Sequence, residues 1–228
     1  GVIEEADGNM KPAAKYYSQA LDKNPDFASA LVNLVRLYVR QGRVDEADKI
    51  ARKYIGQNSE NPDLRAARLE VMLEKKQYEP VVRKAKEILR GDERNVEAMV
   101  AMAKANFWME RYELAKAILQ RVSDLSPERD DIYFLFGLIA MENEKQGRAI
   151  ANFEKALELN PRLAEAHNNL GMLYYSASDY EGAAAQFKAA IDDYPSFKEA
   201  MLNLGNAYKS LKKFEEAEAK FKEVKSLD

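Results

Sequence analysis

The chain has 228 residues, 32% of them charged, a formal net charge of −3, no cysteine and one histidine, His167. A balance so near neutrality argues against a nucleic-acid footprint or a polybasic membrane patch, and the missing thiols and imidazoles remove disulfides, cysteine nucleophiles, cysteine zinc sites and most histidine acid–base constellations. No apolar run approaches the roughly 20 residues that cross a bilayer and no signal segment opens the chain, so it reads as soluble, with no direct membrane insertion.

A 34-residue frame organises the rest. With Ala28 in slot 1, new units open at Pro62, Val96, Asp130, Ala164 and Lys198 without an insertion or deletion. The chain therefore divides, as one array, into a partial unit 1–27, full units 28–61, 62–95, 96–129, 130–163 and 164–197, and a near-complete unit 198–228. Gly1 falls at slot 8 and Asp228 at slot 31, so the expectation is a segment whose native chain continues at either end.

In chain order, slot 20 holds Ala13, Ala47, Val81, Ala115, Ala149, Ala183 and Ala217, a position where only a small side chain fits. Slot 8 carries Val35 and Leu69 early, then Gly137, Gly171 and Gly205, where a missing side chain lets a second helix come close. Slot 24 carries Tyr17, Leu119, Phe153, Phe187 and Phe221, with Ala51 and Ala85 as smaller exceptions. Pro25, Pro127, Pro161 and Pro195 share slot 32, where proline ends a helix. The unit opening at Pro62 departs from the pattern with Arg65, Arg68 and Glu93 where apolar residues or proline would be expected. Between these marks each unit shows two stretches of helical period. In unit 164–197 the spacing predicts helices over 164–176 and 180–193 around a turn at Ala177-Ser178-Asp179. A loop that short packs its helices antiparallel. No such pair buries its apolar faces alone, so neighbours must stack.

The residues Leu170-Gly171, Tyr174, Tyr180, Ala183, Phe187, Ala190 and Pro195 carry a resemblance to the tetratricopeptide repeat (TPR) family. The resemblance implies an all-α, TPR-type helical-hairpin solenoid, wound as a right-handed superhelix whose first helices line a concave groove. It also implies a scaffold for a protein or peptide partner, not an enzyme, with no catalytic residue, cofactor or metal. The alternative is a structural subunit of a larger assembly, acting through self-association or fixed docking. Glu79-Pro80, Tyr112–Ala115 and Ala166–Gly171 further resemble bacterial envelope TPR proteins of pilus or gliding machines. The compartment is unknown from the residues, and that resemblance favours the bacterial periplasm over the cytoplasm.

At 100° per residue, slots 2, 5, 6, 9, 12 and 13 share the face opposite slots 4, 7, 8 and 11. The first set should form the groove. Its candidate peptide-binding residues are Asn33, Arg36, Arg40, Phe107, Trp108, Phe134, Leu138, Met141, Asn168, Asn169, Met172, Tyr175, Asn203 and Asn206, with Val100 and Leu135 adding apolar surface. Ile132 to Met141 is apolar at all ten positions, and a helix apolar all round must be covered on both sides. Phe134 is expected in the groove, with Tyr133 and Phe136 in the core. The asparagines offer a donor and an acceptor each, a ladder suited to peptide amides. Arg36 and Arg40 could hold an acidic segment. The acids of slot 2, namely Asp63, Glu97, Asp131, Glu165 and Glu199, read as first-turn charges favoured by the helix dipole. Slot 5 holds no lysine, which argues against the carboxylate clamp of chaperone-binding relatives, and His167 at slot 4 reads as structural.

Overall fold

The computed structural model describes residues 10–57 and 61–226, so Gly1 at slot 8 and Asp228 at slot 31 lie outside it. Every element among the described residues is an α-helix. A first compact unit, ending at Pro127, holds α1 (Met10–Lys23), α2 (Ala28–Arg40), α3 (Val44–Gln57), α4 (Pro62–Glu74), α5 (Tyr78–Gly91), α6 (Val96–Trp108) and α7 (Tyr112–Leu125). A second, beginning at Glu128, holds α8 (Asp130–Glu142), α9 (Gln146–Leu159), α10 (Ala164–Ser176), α11 (Tyr180–Asp193), α12 (Lys198–Ser210) and α13 (Phe214–Ser226). Even-numbered helices start at slot 1 and odd-numbered ones at slot 17; they are called A and B helices below.

Each A helix ends in the same way. Its slot-15 residue takes a positive φ, at Gly42 (72°), Lys76 (55°), Glu110 (60°), Glu144 (57°), Ser178 (64°) and Lys212 (60°). The next N–H then reaches back to the slot-11 carbonyl, as from Arg43 to Tyr38 (2.9 Å), Lys145 to Ala140 (2.8 Å) and Asp179 to Tyr174 (2.9 Å). This six-to-one bond satisfies a carbonyl that the helix end leaves free and reverses the chain within three residues. At α4 the start is also fixed, because the Asn61 side chain accepts from the N–H groups of Asp63 and Leu64 ahead of Pro62 at the first helical position.

The reversal lays each B helix against its A helix, and the contact is set by three slots. Slot 20 is buried in every unit, with Ala13, Ala47, Val81, Ala115, Ala149 and Ala183 fully inaccessible. At slot 8 of α10, a Cβ on Gly171 would stand 2.6 Å from the Phe187 ring of α11. On Gly205 it would stand 2.5 Å from Phe221, and on Gly137 it would meet Phe153 in the same manner. The glycine is thus the hole into which the slot-24 ring inserts. In the first unit the sizes are exchanged. Val35 lies in one core cluster with Ala51, and Leu69 in another with Ala85. Ala103 and Leu119 form the intermediate pair, both buried. A large residue at either slot is matched by a small one at the other, which keeps the helix separation while the side chains change.

Two glycines outside this contact separate torsional from packing effects. Neither Gly42 nor Gly56 has an atom within 4 Å of where its Cβ would stand, but only Gly42 has a positive φ. Gly42→Ala is expected to cost about 1 kcal/mol and Gly56→Ala, inside α3, to add a few tenths to about 1 kcal/mol. Urea unfolding of the two variants checks this, and equal shifts of one sign would contradict the assignment of the turn.

Candidate functional site

In the unit beginning at Glu128, the A-helix face retains large apolar side chains in contact with solvent. Met172 and Tyr175 on α10 are 38% and 36% exposed, and Leu202 on α12 is 42% exposed. Asn206, one turn after Leu202, is exposed as well. Tyr175 is fixed in place, since its hydroxyl lies 2.9 Å from Ser210 Oγ and its ring packs 5.2 Å from Tyr180. Leu202 is not among the residues picked out from the sequence, although slot 5 lies on the predicted face.

Several expected groove residues are elsewhere. Phe134 is half-buried, with its ring 5.7 Å from the fully buried Phe153, so it belongs to the hairpin core and not to a free surface. Leu138 and Met141 pack partly against the same cluster around Ala140, Ala149 and Phe153. Tyr133 and Phe136, expected in the core, are half-buried too. Of the apolar run, Ile132, Leu135, Gly137, Ile139 and Ala140 are buried and the rest half-buried, so α8 is covered without a ligand.

The amides of Asn168, Asn169 and Asn203 are engaged within the chain. Asn168, at 3% exposure, donates to Glu199 (3.3 Å) and accepts from Asn203 Nδ2 (3.0 Å). It therefore ties α10 to α12 and cannot read a peptide. Asn169 turns its Nδ2 to the Glu165 carbonyl one turn back (2.7 Å). The outward edge that remains consists of Asn206 with the half-buried amides of Asn169 and Asn203.

The unit ending at Pro127 presents a different A-helix face, one crossed by ion pairs. Slot 9 carries Arg36, Glu70 and Lys104 on α2, α4 and α6 in turn. Arg36 donates to Glu70 (3.4 Å) and to Glu97 (2.9 Å), and Lys104 donates to Glu70 (3.0 Å). Arg36 is thus spent inside the chain, contrary to the expectation that it would hold an acidic segment, and Arg40, though exposed, is likewise not free. Asn33 is half-buried and Val100 buried. Phe107 is buried as well, lying edge-on beneath Trp108 with centroids 5.2 Å apart. Trp108 itself is 59% exposed and stacks at 6.5 Å on Tyr78 of α5.

The slot-2 acids do more than complement the helix dipole. Asp63 accepts from Asn95 (2.6 Å), Glu97 from Arg36, Asp131 from Arg129 (2.7 Å) and Glu199 from Asn168. His167 is held through both ring nitrogens, Nδ1 at 2.7 Å from Gln186 Oε1 and Nε2 at 3.1 Å from the Pro161 carbonyl, a structural arrangement. Among the described residues no group of three or more His, Cys, Asp or Glu could hold a metal ion, and no helix is long and apolar enough to cross a membrane.

The tetratricopeptide repeat profile matches residues 100–164, 134–196 and 168–228, and a second profile of the same description matches 5–71. The chain belongs to the tetratricopeptide repeat family. TPR proteins bind protein partners and are generally non-catalytic scaffolds. No curated protein matches the chain. Solved structures share its fold. MamA is 24% identical, with 68% of this chain and 91% of that chain covered at a TM-score of 0.58. PilF of Pseudomonas aeruginosa is 22% identical, with 88% and 91% covered at 0.67. The Cut9–Hcn1 hetero-tetramer of the APC/C is 15% identical, with 97% of this chain and 44% of that chain covered at 0.77.

Within this TPR chain the departure at Arg68 acquires a reason, which it shares with Lys75 at the end of the same helix. Both reach Asp48 of α3, Arg68 Nε at 3.0 Å and Lys75 Nζ at 3.6 Å, while Arg52 donates to the same carboxylate at 2.8 Å. Burial acts to raise the Asp48 carboxyl, but the hydrogen bonds from Arg52 and Arg68 outweigh it and hold the group at about 2. A value depressed in the folded state gives stability that is present above about pH 4 and lost as the pH falls toward 2. Asp48→Asn should therefore lower stability by about 2 kcal/mol at pH 7. In denaturant titrations its deficit against wild type should shrink steadily below pH 4, and a deficit that stays constant down to pH 2 would show that the charge is not its source.

Proposed function

We propose that the chain is a protein-interaction scaffold that holds a partner segment on the A-helix face of the unit beginning at Glu128. Met172, Tyr175 and Leu202 supply the apolar contact, and Asn169, Asn203 and Asn206 the polar edge. The supporting observation is the exposure of those three large side chains together on a face whose counterpart in the other unit is crossed by ion pairs. Exposed apolar side chains gathered on one face mark interaction surfaces. Trp108, with Tyr78 and Phe107 behind it, is a separate exposed aromatic of the unit ending at Pro127, of the kind found at binding hot spots.

The test is a peptide-display selection on the intact chain, followed by titration of the enriched peptides. Met172→Glu with Leu202→Glu should leave the melting curve nearly unchanged, because both side chains are already half in water, and should weaken those peptides by about tenfold or more. Peptides that bind the double variant as tightly as wild type would place the contact elsewhere.

A further inference from the structure

Unit 62–95 carries nine cations against seven acids in a chain of net charge −3. Its two unusual arginines, Arg65 and Arg68, stand at slots 4 and 7, where other units place Leu31, Leu34, Met99, Met201 and Leu204. These slots lie on the side of α4 opposite the A-helix face. There they line an open cleft of about 100 Å³ between the B helices α3 and α5. Its floor is aliphatic, made by Ile55, Leu69, Met72 and Ile88, and Lys84 of α5 completes the wall.

The cations of this cleft are unequally satisfied. Arg68 is taken by Asp48, and Arg65 reaches only Glu87, at a long 3.9 Å and partly in water. Lys84 is half-buried and has no partner among the described residues. An ammonium that has lost part of its hydration without gaining an acceptor is stabilised by any anion that enters. Among the described residues the surplus amounts to one unpaired and one weakly paired cation, which suits a singly charged carboxylate better than a doubly charged phosphate. The aliphatic floor suits the methylene stem of an acidic side chain, and phosphate has none. The volume, about that of three waters, admits such a side chain and excludes a ring system.

We propose that this cleft is a second binding site, which takes the carboxylate of an acidic residue in a partner segment flanked by aliphatic side chains. Lys84 and Arg65 clamp the carboxylate while Leu69, Met72 and the two isoleucines receive the stem. The site is independent of the A-helix face, so its success or failure leaves the reading above untouched.

The experiment is methyl NMR of the whole chain, titrated in parallel with N-acetylated, C-amidated Leu-Glu-Leu, with its glutamine counterpart and with inorganic phosphate. The glutamate peptide should shift the methyl signals of Ile55, Leu69, Met72 and Ile88 saturably, and the other two probes should not. In Lys84→Gln, a change at a half-exposed position that keeps the wild-type melting curve, the midpoint should move to about fivefold higher peptide concentration. Arg65→Gln should act in the same direction. Equal shifts from the glutamine peptide, equal shifts from phosphate, or an unchanged midpoint in Lys84→Gln would each overturn the proposal.

Discussion

The closest approach of the two helices in each hairpin, at slots 8, 20 and 24, is the constraint on which the remaining geometry rests. Antiparallel helices can meet at a short distance only if the combined bulk facing the contact is small, since a packed interior has no room for even one extra methylene. The chain meets this in two ways. In the unit beginning at Glu128 it places glycine on the A helix and phenylalanine on the B helix; upstream it places valine or leucine on α2 and α4 against alanine on α3 and α5, and alanine on α6 against leucine on α7. Alanine or valine at slot 20 completes the contact in the six units from Ala28 onward.

Fixing one side of each A helix against its partner leaves the opposite side available, and the two units use it differently. Upstream, slot 9 alternates in sign through Arg36, Glu70 and Lys104, and its ion pairs bind successive A helices to one another. Downstream, the same slot holds Leu138, Met172 and Asn206, and inter-repeat bonding moves to the Asn168–Glu199–Asn203 group. The first arrangement engages Arg36, Glu70 and Lys104 across the face, whereas the second ties its helices through one buried amide and leaves Met172, Tyr175 and Leu202 in contact with water. An interaction surface follows from where the array does not need its own side chains.

What was legible in the sequence is what repeats locally. The period, the small residue at slot 20, the turn at Ala177–Asp179 and the helices around it depend on short-range geometry and recur from unit to unit. The fates of individual groove residues were less legible, because a helical wheel gives direction and not depth. Phe134 falls on the groove side of the wheel, yet its ring lies 5.7 Å from Phe153 of the paired helix. Asn168 and Arg36 find acceptors 31 and 61 residues away, which no single helix reveals. A signal did exist, since reading slot 9 down the units shows positive, negative, positive. Likewise, the large residues at slot 8 and the small ones at slot 24 were visible separately, and their exchange became clear only once Gly171 was seen against Phe187.

The size exchange is tested most directly by moving it from one unit to another. Gly171→Leu drives a side chain into the Phe187 ring and Phe187→Ala empties the hole, so each alone should destabilise the fold by about 2 kcal/mol or more. The double variant recreates at 171 and 187 the pair found at Leu69 and Ala85. In equilibrium urea unfolding it should recover most of the loss of either single variant, a strongly favourable coupling between the sites. If the two losses simply add, the helix separation is not governed by the shared volume of these slots.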